Sequence, residues 1–145
     1  MSSIGFDEAV ACYDAIAVEL DKVAGLDRGS LSPSERQQLL QRRETLGRRL
    51  PALDHEHINE LTHVDPDELG GSLARVLADR LRISRSEASR RIAEAADLGE
   101  RRAMTGEPLA PKFEATAAGQ RAGLIGGRAG EGDPGVFRPA ALLHR

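Results

Sequence analysis

The sequence predicts an all-α protein, and three observations carry that prediction. Apolar residues recur at alternating spacings of three and four instead of two, which lines them along one side of a helix. Two Ser-x-x-Glu strings stand where helices should begin. Phe, Tyr and Trp make up only 3% of the chain, so a core has to be built from Leu, Ile, Val and Ala.

The first helix is expected over residues 4–24. Phe6, Val10, Tyr13, Ala17, Leu20 and Ala24 form its stripe, Ile16 and Val23 widen it, and Asp7, Glu8, Asp14, Glu19 and Asp21 lie mostly off it. Gly25, Asp27, Gly29 and Ser30 make a turn-rich connection. Ser32-Pro33-Ser34-Glu35 then opens a second helix with an N-cap serine, a proline at the first helical position and a glutamate that can reach back to the cap. Leu39, Leu46, Leu50 and Leu53 follow at near-heptad spacing. Pro51 is expected to bend or interrupt this helix, since it removes a backbone donor. The two helices read as an antiparallel hairpin over 4–62, packed within the chain.

His63 to Gly71 reads as a linker or corner, 72–81 and 84–98 as two helices with almost nothing between them, and the polar stretch after Gly99 as an extended loop. Thr116–Ile125 reads as a last short helix. Residues 1–126 thus form one helical domain, with the helix-turn-helix-like pair over 72–98. Residues 127–145 are Gly- and Pro-rich without a stable period and read as a disordered or divergent tail.

The chain's 145 residues are one domain's worth. One cysteine, Cys12, makes neither an internal disulfide nor a thiolate zinc site, so a reducing, cytoplasmic setting is the expectation. No apolar run approaches the ~18 residues of a membrane span. The N-terminus lacks a basic segment followed by an apolar one, so no secretory signal is read there. The scarcity of aromatics argues against a stacking platform for single-stranded nucleic acid. No membrane, cofactor or small-molecule substrate is evident.

Candidate chemistry elsewhere is thin. Asp54, His55, Glu56, His57, Glu60 and His63 resemble a metal cluster, but H-E-x-x-H is absent and His55 and His57 project about 200° apart on a helix. They read as surface residues. Cys12 has no histidine near it in sequence, and the glycines around 126 do not form a phosphate loop. No catalytic or metal-ligating residue is assigned, and the chain reads as non-enzymatic.

The informative string is L-A-D-R-L-R-I-S-R-S-E-A-S-R, Leu77 to Arg90. It is similar to the helix-turn-helix pattern L-A-x-x-L-G-I-S-x-S-x-V-S-R of many bacterial DNA-binding proteins. Leu77, Ala78 and Leu81 give the first helix an apolar edge, and Ile83 plugs the corner. Ser84 caps the second helix with Glu87 completing a capping box, while Ala88, Ile92 and Ala95 return to the core side. Arg85, Ser86, Ser89 and Arg90 are left to face a DNA groove, and Arg75, Arg80 and Arg82 to contact phosphate. The turn position usually held by glycine is Arg82; a positive φ there costs about 1 kcal/mol. Residues 72–91 carry six arginines against Asp79 and Glu87, a net +4 in a chain whose total is −3. The structural alternative is a solvated helix pair whose arginines cover apolar surface and pair with Asp79, Glu94 and Asp97.

Over Ser72 to Gly126 the chain closely resembles the 13E12 repeat family, actinobacterial proteins built on the DUF222 domain, and with the N-terminal hairpin also consistent the resemblance covers roughly residues 1–126. The resemblance rests on L-A-x-R-L-x-I-S-x-x-E-A-x-R-R-I from Leu77 to Ile92, on R-R-A-x-T-G-E-P-L-x-P from Arg101 to Pro111, and on A-T-A-A from Ala115 to Ala118. It implies a helical module of the kind that precedes an HNH endonuclease domain in many relatives and is linked to repeated or mobile DNA. The histidine, asparagine and cysteine pairs of such a nuclease have no counterpart here, so the resemblance implies a truncated form without nuclease activity. Two function classes follow: a DNA-binding module acting on duplex DNA, or a helical module that uses its leucine-lined hairpin to self-associate or hold a partner. A gene product without selected function is the third.

Overall fold

The computed structural model describes residues 3–102 and 105–125. The tail expected to be disordered lies outside the described residues. The chain is all-α, with six helices among the described residues: α1 (Ile4–Gly25), α2 (Pro33–Leu61), α3 (Pro66–Leu69), α4 (Leu73–Leu81), α5 (Arg85–Leu98) and α6 (Glu114–Arg121). A two-residue antiparallel ribbon, β1 (Arg101–Arg102) with β2 (Pro108–Leu109), pairs Arg101 with Leu109 and Arg102 with Pro108. The chain falls into two compact units, residues 1–38 and 39–145.

In the first unit, α1 starts at Ser3, whose hydroxyl accepts from the Phe6 N–H at 3.1 Å. The α2 start is the reciprocal box expected of Ser32 and Glu35. The Ser32 hydroxyl accepts from the Glu35 N–H at 3.1 Å, and the Glu35 carboxylate accepts from the Ser32 N–H at 2.9 Å. Those two bonds hold the Glu35 carboxyl below its ordinary pKa. Every residue of α1 is exposed. Within this unit Phe6 is 60% exposed and Leu20 65%.

In the second unit, α2 runs unbroken through Pro51. The proline removes one helical bond, and the helix continues because its following turns are anchored: Ile58 is in the core and Leu61 packs against it. The corner expected at 63–71 holds one helical turn, α3, capped by Asp65 and ended by Gly70 at φ +87°. The core gathers Ile58 from α2, Leu77 and Ala78 from α4, and Ala88 and Ala95 from α5, with Leu73, Ile83 and Ile92 around them. Ala88 and Ala95 are fully buried, which lets α5 pack closely at both positions. Leu81, expected on the apolar edge of α4, is instead 47% exposed.

The stretch read as extended loop folds into the ribbon. Gly106, at φ +87° in the turn, supplies the left-handed backbone that the reversal needs. α6 begins two residues earlier than expected, and its Ala117 and Gln120 are buried.

Candidate nucleic-acid interface

α4 and α5 are joined by Arg82, Ile83 and Ser84 alone. α4 ends as Arg82 enters the left-handed region at φ 55°, ψ 47° and donates its N–H to the Ala78 carbonyl. Among the described residues Arg82 is the only non-glycine with positive φ. The Ile83 N–H reaches the same Ala78 carbonyl at 3.1 Å, turning the chain so that Ile83 packs on the core. Ser84 then caps α5, its hydroxyl accepting from the Glu87 N–H at 3.0 Å. The two helices thus meet at a tight three-residue corner.

Arg75, Arg80, Arg82, Arg85, Ser86 and Ser89 are all exposed. Arg85, Ser86 and Ser89 lie along one edge at the start of α5, continuing from Arg82 in the turn. None of Arg75, Arg80, Arg82 and Arg85 is in an ion pair among the described residues.

Arg90 is placed differently from the expectation that it faces outward. Its guanidinium donates to both Glu87 oxygens at 2.8 and 2.9 Å and to Glu94 Oε2 at 2.8 Å. Arg91 Nε adds a 3.0 Å bond to Glu87 Oε1. Glu87 therefore makes half of the second capping box: its backbone N–H is capped by Ser84, but its carboxylate is taken by Arg90 and Arg91. Those two guanidinium groups hold the Glu87 carboxyl down at about 2, and Glu87, with Glu94, raises the Arg90 pKa in return. Of the carboxylates set against the arginines in the alternative reading, Glu94 pairs, with Arg90.

Behind this layer lies a polar cluster that links three helices. The Glu94 side chain is 7% exposed and receives Arg90 from its own helix. Gln120 Nε2 of α6 donates to its Oε1 at 2.6 Å, and His55 Nε2 of α2 lies 3.6 Å from the same oxygen. Burial pushes the Glu94 carboxyl up, but His55 and Gln120, with Arg90, outweigh it and leave the group below its ordinary value. Gln120 is fully buried, and its Oε1 has no hydrogen-bond partner among the described residues. Asn59 Nδ2 donates to the carbonyls of Ala95 at 2.8 Å and Glu100 at 3.0 Å, tying α2 to the end of α5.

His55 thus corrects its assignment to the surface, since it is only 4% exposed. It shares a helix face with the core residue Ile58, three positions on, and that spacing was the available sequence signal. His57 and His63 are exposed, and among the described residues no group of side chains is arranged to hold a metal ion. An open groove of about 290 Å³ lies between α2 and α5, with Pro51, Asp54, His55, Arg90, Arg91 and Glu94 on its walls. Partial burial raises the Asp54 pKa, while Arg91 opposes the shift. The ionic groups of the groove's deep side are already committed to one another, which suits a packing role.

The family model described as a domain of unknown function, DUF222, matches residues 37–131, more than half of the chain. The chain belongs to the DUF222 family. The match takes in the α4–α5 corner and the polar cluster behind it, and α1 precedes it. Uncharacterized protein Rv3466 of Mycobacterium tuberculosis is 48% identical over 142 residues, covering 97% of this chain and 64% of its own. Uncharacterized protein Mb1614c of Mycobacterium bovis is 49% identical over 136 residues, 93% of this chain and 61% of its own. Uncharacterized protein Rv1128c of Mycobacterium tuberculosis is 49% identical over 140 residues, 96% of this chain but 30% of its own. This DUF222 chain therefore spans between about a third and two thirds of the length of these relatives. No solved structure matches it. Among the described residues no helix is long and apolar enough to cross a membrane.

Proposed function

We propose that this DUF222 chain is a non-catalytic module that binds duplex DNA through the corner between α4 and α5. The observation that carries the reading is the exposed row Arg82, Arg85, Ser86 and Ser89 on the three-residue corner between α4 and α5. Guanidinium groups and hydroxyls at the start of a second helix are suited to base edges and phosphates. Arg85, Ser86 and Ser89 face the groove, and Arg75, Arg80 and Arg82 contact phosphate. Arg90 acts through the fold: by engaging Glu87 and Glu94 it keeps two carboxylates from repelling the phosphate backbone.

The resemblance to the 13E12 repeat family extends this reading. In it, the chain is the DNA-targeting portion of an architecture in which the longer members carry an HNH nuclease, and it works in the cytoplasm on repeated or mobile DNA. No residue of this chain is given a nuclease role.

Fluorescence anisotropy with a labelled duplex tests the proposal. Arg85→Ala and Ser89→Ala should each weaken binding, by about 1–3 kcal/mol where the lost contact is to a base. Asp79→Ala should not weaken it. Equal affinity of the wild-type chain and an Arg82→Ala, Arg85→Ala double variant would overturn the reading.

A further inference from the structure

Resting on the duplex-binding reading above, we infer that the α4–α5 corner selects guanine, and that Arg85 alone reads it from the major groove. The exposed residues of α5 are Arg85, Ser86, Ser89, Ala93 and Ala96. On a helical wheel they share an arc of about 100°, so one face of the helix stands open. Four of the five side chains are small, which lets the helix come close to the surface it meets. Arg85 is the one long side chain on that face, and it stands at the end nearest the corner.

The donors and acceptors on this face decide the base. Of the α5 arginines, Arg90 is taken by Glu87 and Glu94 and Arg91 by Glu87, whereas Arg85 has no ion pair among the described residues. A guanidinium offers donors only. In the major groove guanine presents two acceptors, N7 and O6. Adenine sets one acceptor beside a donor, thymine one acceptor beside a methyl group, and cytosine presents a donor. Guanine is therefore the base that accepts two N–H groups of one arginine at once. Groups suited to the other bases are missing from the face. A carboxamide pairs with adenine, and residues 72–98 contain neither Asn nor Gln. A carboxylate pairs with cytosine, but Glu87 and Glu94 are held by arginines and no exposed residue of α5 is acidic. A serine hydroxyl both donates and accepts, so Ser86 and Ser89 discriminate weakly. Ala93 and Ala96 have no polar side-chain atom. Contacts from Arg75, Arg80 and Arg82 to phosphate carry no sequence information. One arginine reading one base gives a module of low sequence specificity that follows guanine.

Base analogues test this on the full chain, by fluorescence anisotropy at fixed low salt. One mixed-sequence duplex is prepared in three forms: with guanine, with 7-deazaguanine, which lacks the N7 acceptor, and with inosine, which keeps N7 and O6 but lacks the minor-groove amino group. The wild-type chain should bind the 7-deazaguanine duplex at least about fivefold more weakly than the guanine duplex, and the inosine duplex as tightly. Arg85→Ala should bind all three forms alike. Arg82→Ala should bind each form more weakly and keep the discrimination. Salt-sensitive wild-type binding that is indifferent to 7-deazaguanine would overturn the guanine inference while leaving duplex binding standing. A loss on the inosine duplex would overturn it in favour of the minor groove, and discrimination that survives Arg85→Ala would remove Arg85 as the reader. A chain that binds none of the three forms overturns the inference and the duplex-binding reading together.

Discussion

Arg90 grips Glu87 through two parallel hydrogen bonds, Nε to Oε2 at 2.9 Å and Nη2 to Oε1 at 2.8 Å. Both residues are on α5, in the stretch that the helix-turn-helix pattern points toward DNA. A bidentate arginine–carboxylate pair fixes both side chains, so Arg90 is a residue of the fold while its neighbour Arg85 stays exposed. Arg90→Ala should cost about 1–3 kcal/mol, because it leaves the poorly exposed Glu94 short of its charged donor. Arg85→Ala should change stability by less than about 0.5 kcal/mol. Urea unfolding at neutral pH checks both values.

Acid should loosen this arrangement in a defined window. Glu87 has its carboxyl lowered from 4.5 to about 2 by Arg90 and Arg91, so the folded chain binds this proton less readily than the unfolded one. The resulting stabilisation is complete above about pH 4.5 and is lost as pH falls toward 2. Thermal unfolding followed from pH 7 to pH 2 should show a declining midpoint across that window. The decline should be shallower in Glu87→Gln, with the remainder coming from groups such as Glu94, whose carboxyl is also lowered.

Arg82 sets fold against function. At φ 55° it occupies backbone space that glycine enters freely. Arg82→Gly should stabilise the chain by about 1 kcal/mol while weakening its hold on DNA. Arg82→Ala should weaken DNA binding without the gain in stability. Paired unfolding and binding curves for the two variants separate the backbone contribution from the side-chain one.

Gly99 marks where α5 meets α2. A Cβ there would lie 2.5 Å from Asn59 Nδ2, 2.6 Å from the Ala95 carbonyl oxygen and 2.8 Å from His55 Cβ. Gly99→Ala should therefore destabilise by about 1–3 kcal/mol through forced displacement. Asn59→Ala, which removes the bonds to Ala95 and Glu100, should have an effect of similar size. A double variant should lose less than the sum of the two, since both disturb one junction.

What was legible in the sequence was local. The Ser32–Glu35 box, the Ser84 cap and the strain at Arg82 all depend on residues within four positions of one another, where helix geometry fixes the outcome. The pairing of Arg90 with Glu94 is also local, at i and i+4, and it competed with an outward reading that the same spacing permits. The burial of His55 had one local signal, its spacing of three from Ile58, but its carboxylate partner is Glu94 on another helix and its cover comes from tertiary packing. Gln120 carried no such local signal, and its partner too is Glu94 on another helix. The ribbon at 101–109 escaped notice because two-residue strands carry no periodicity. Amphipathicity placed α1 as a helix correctly, yet a stripe of apolar residues cannot say which surface will cover it.

The salt dependence of duplex binding tests the central claim most directly. Three phosphate contacts, from Arg75, Arg80 and Arg82, predict that log K falls against log salt with a slope of about −2.7. Removing any one of those arginines should make the slope shallower by about 0.9, while Arg85→Ala should lower affinity with the slope kept. A flat salt response, or one that none of these substitutions alters, would contradict DNA binding at the α4–α5 corner.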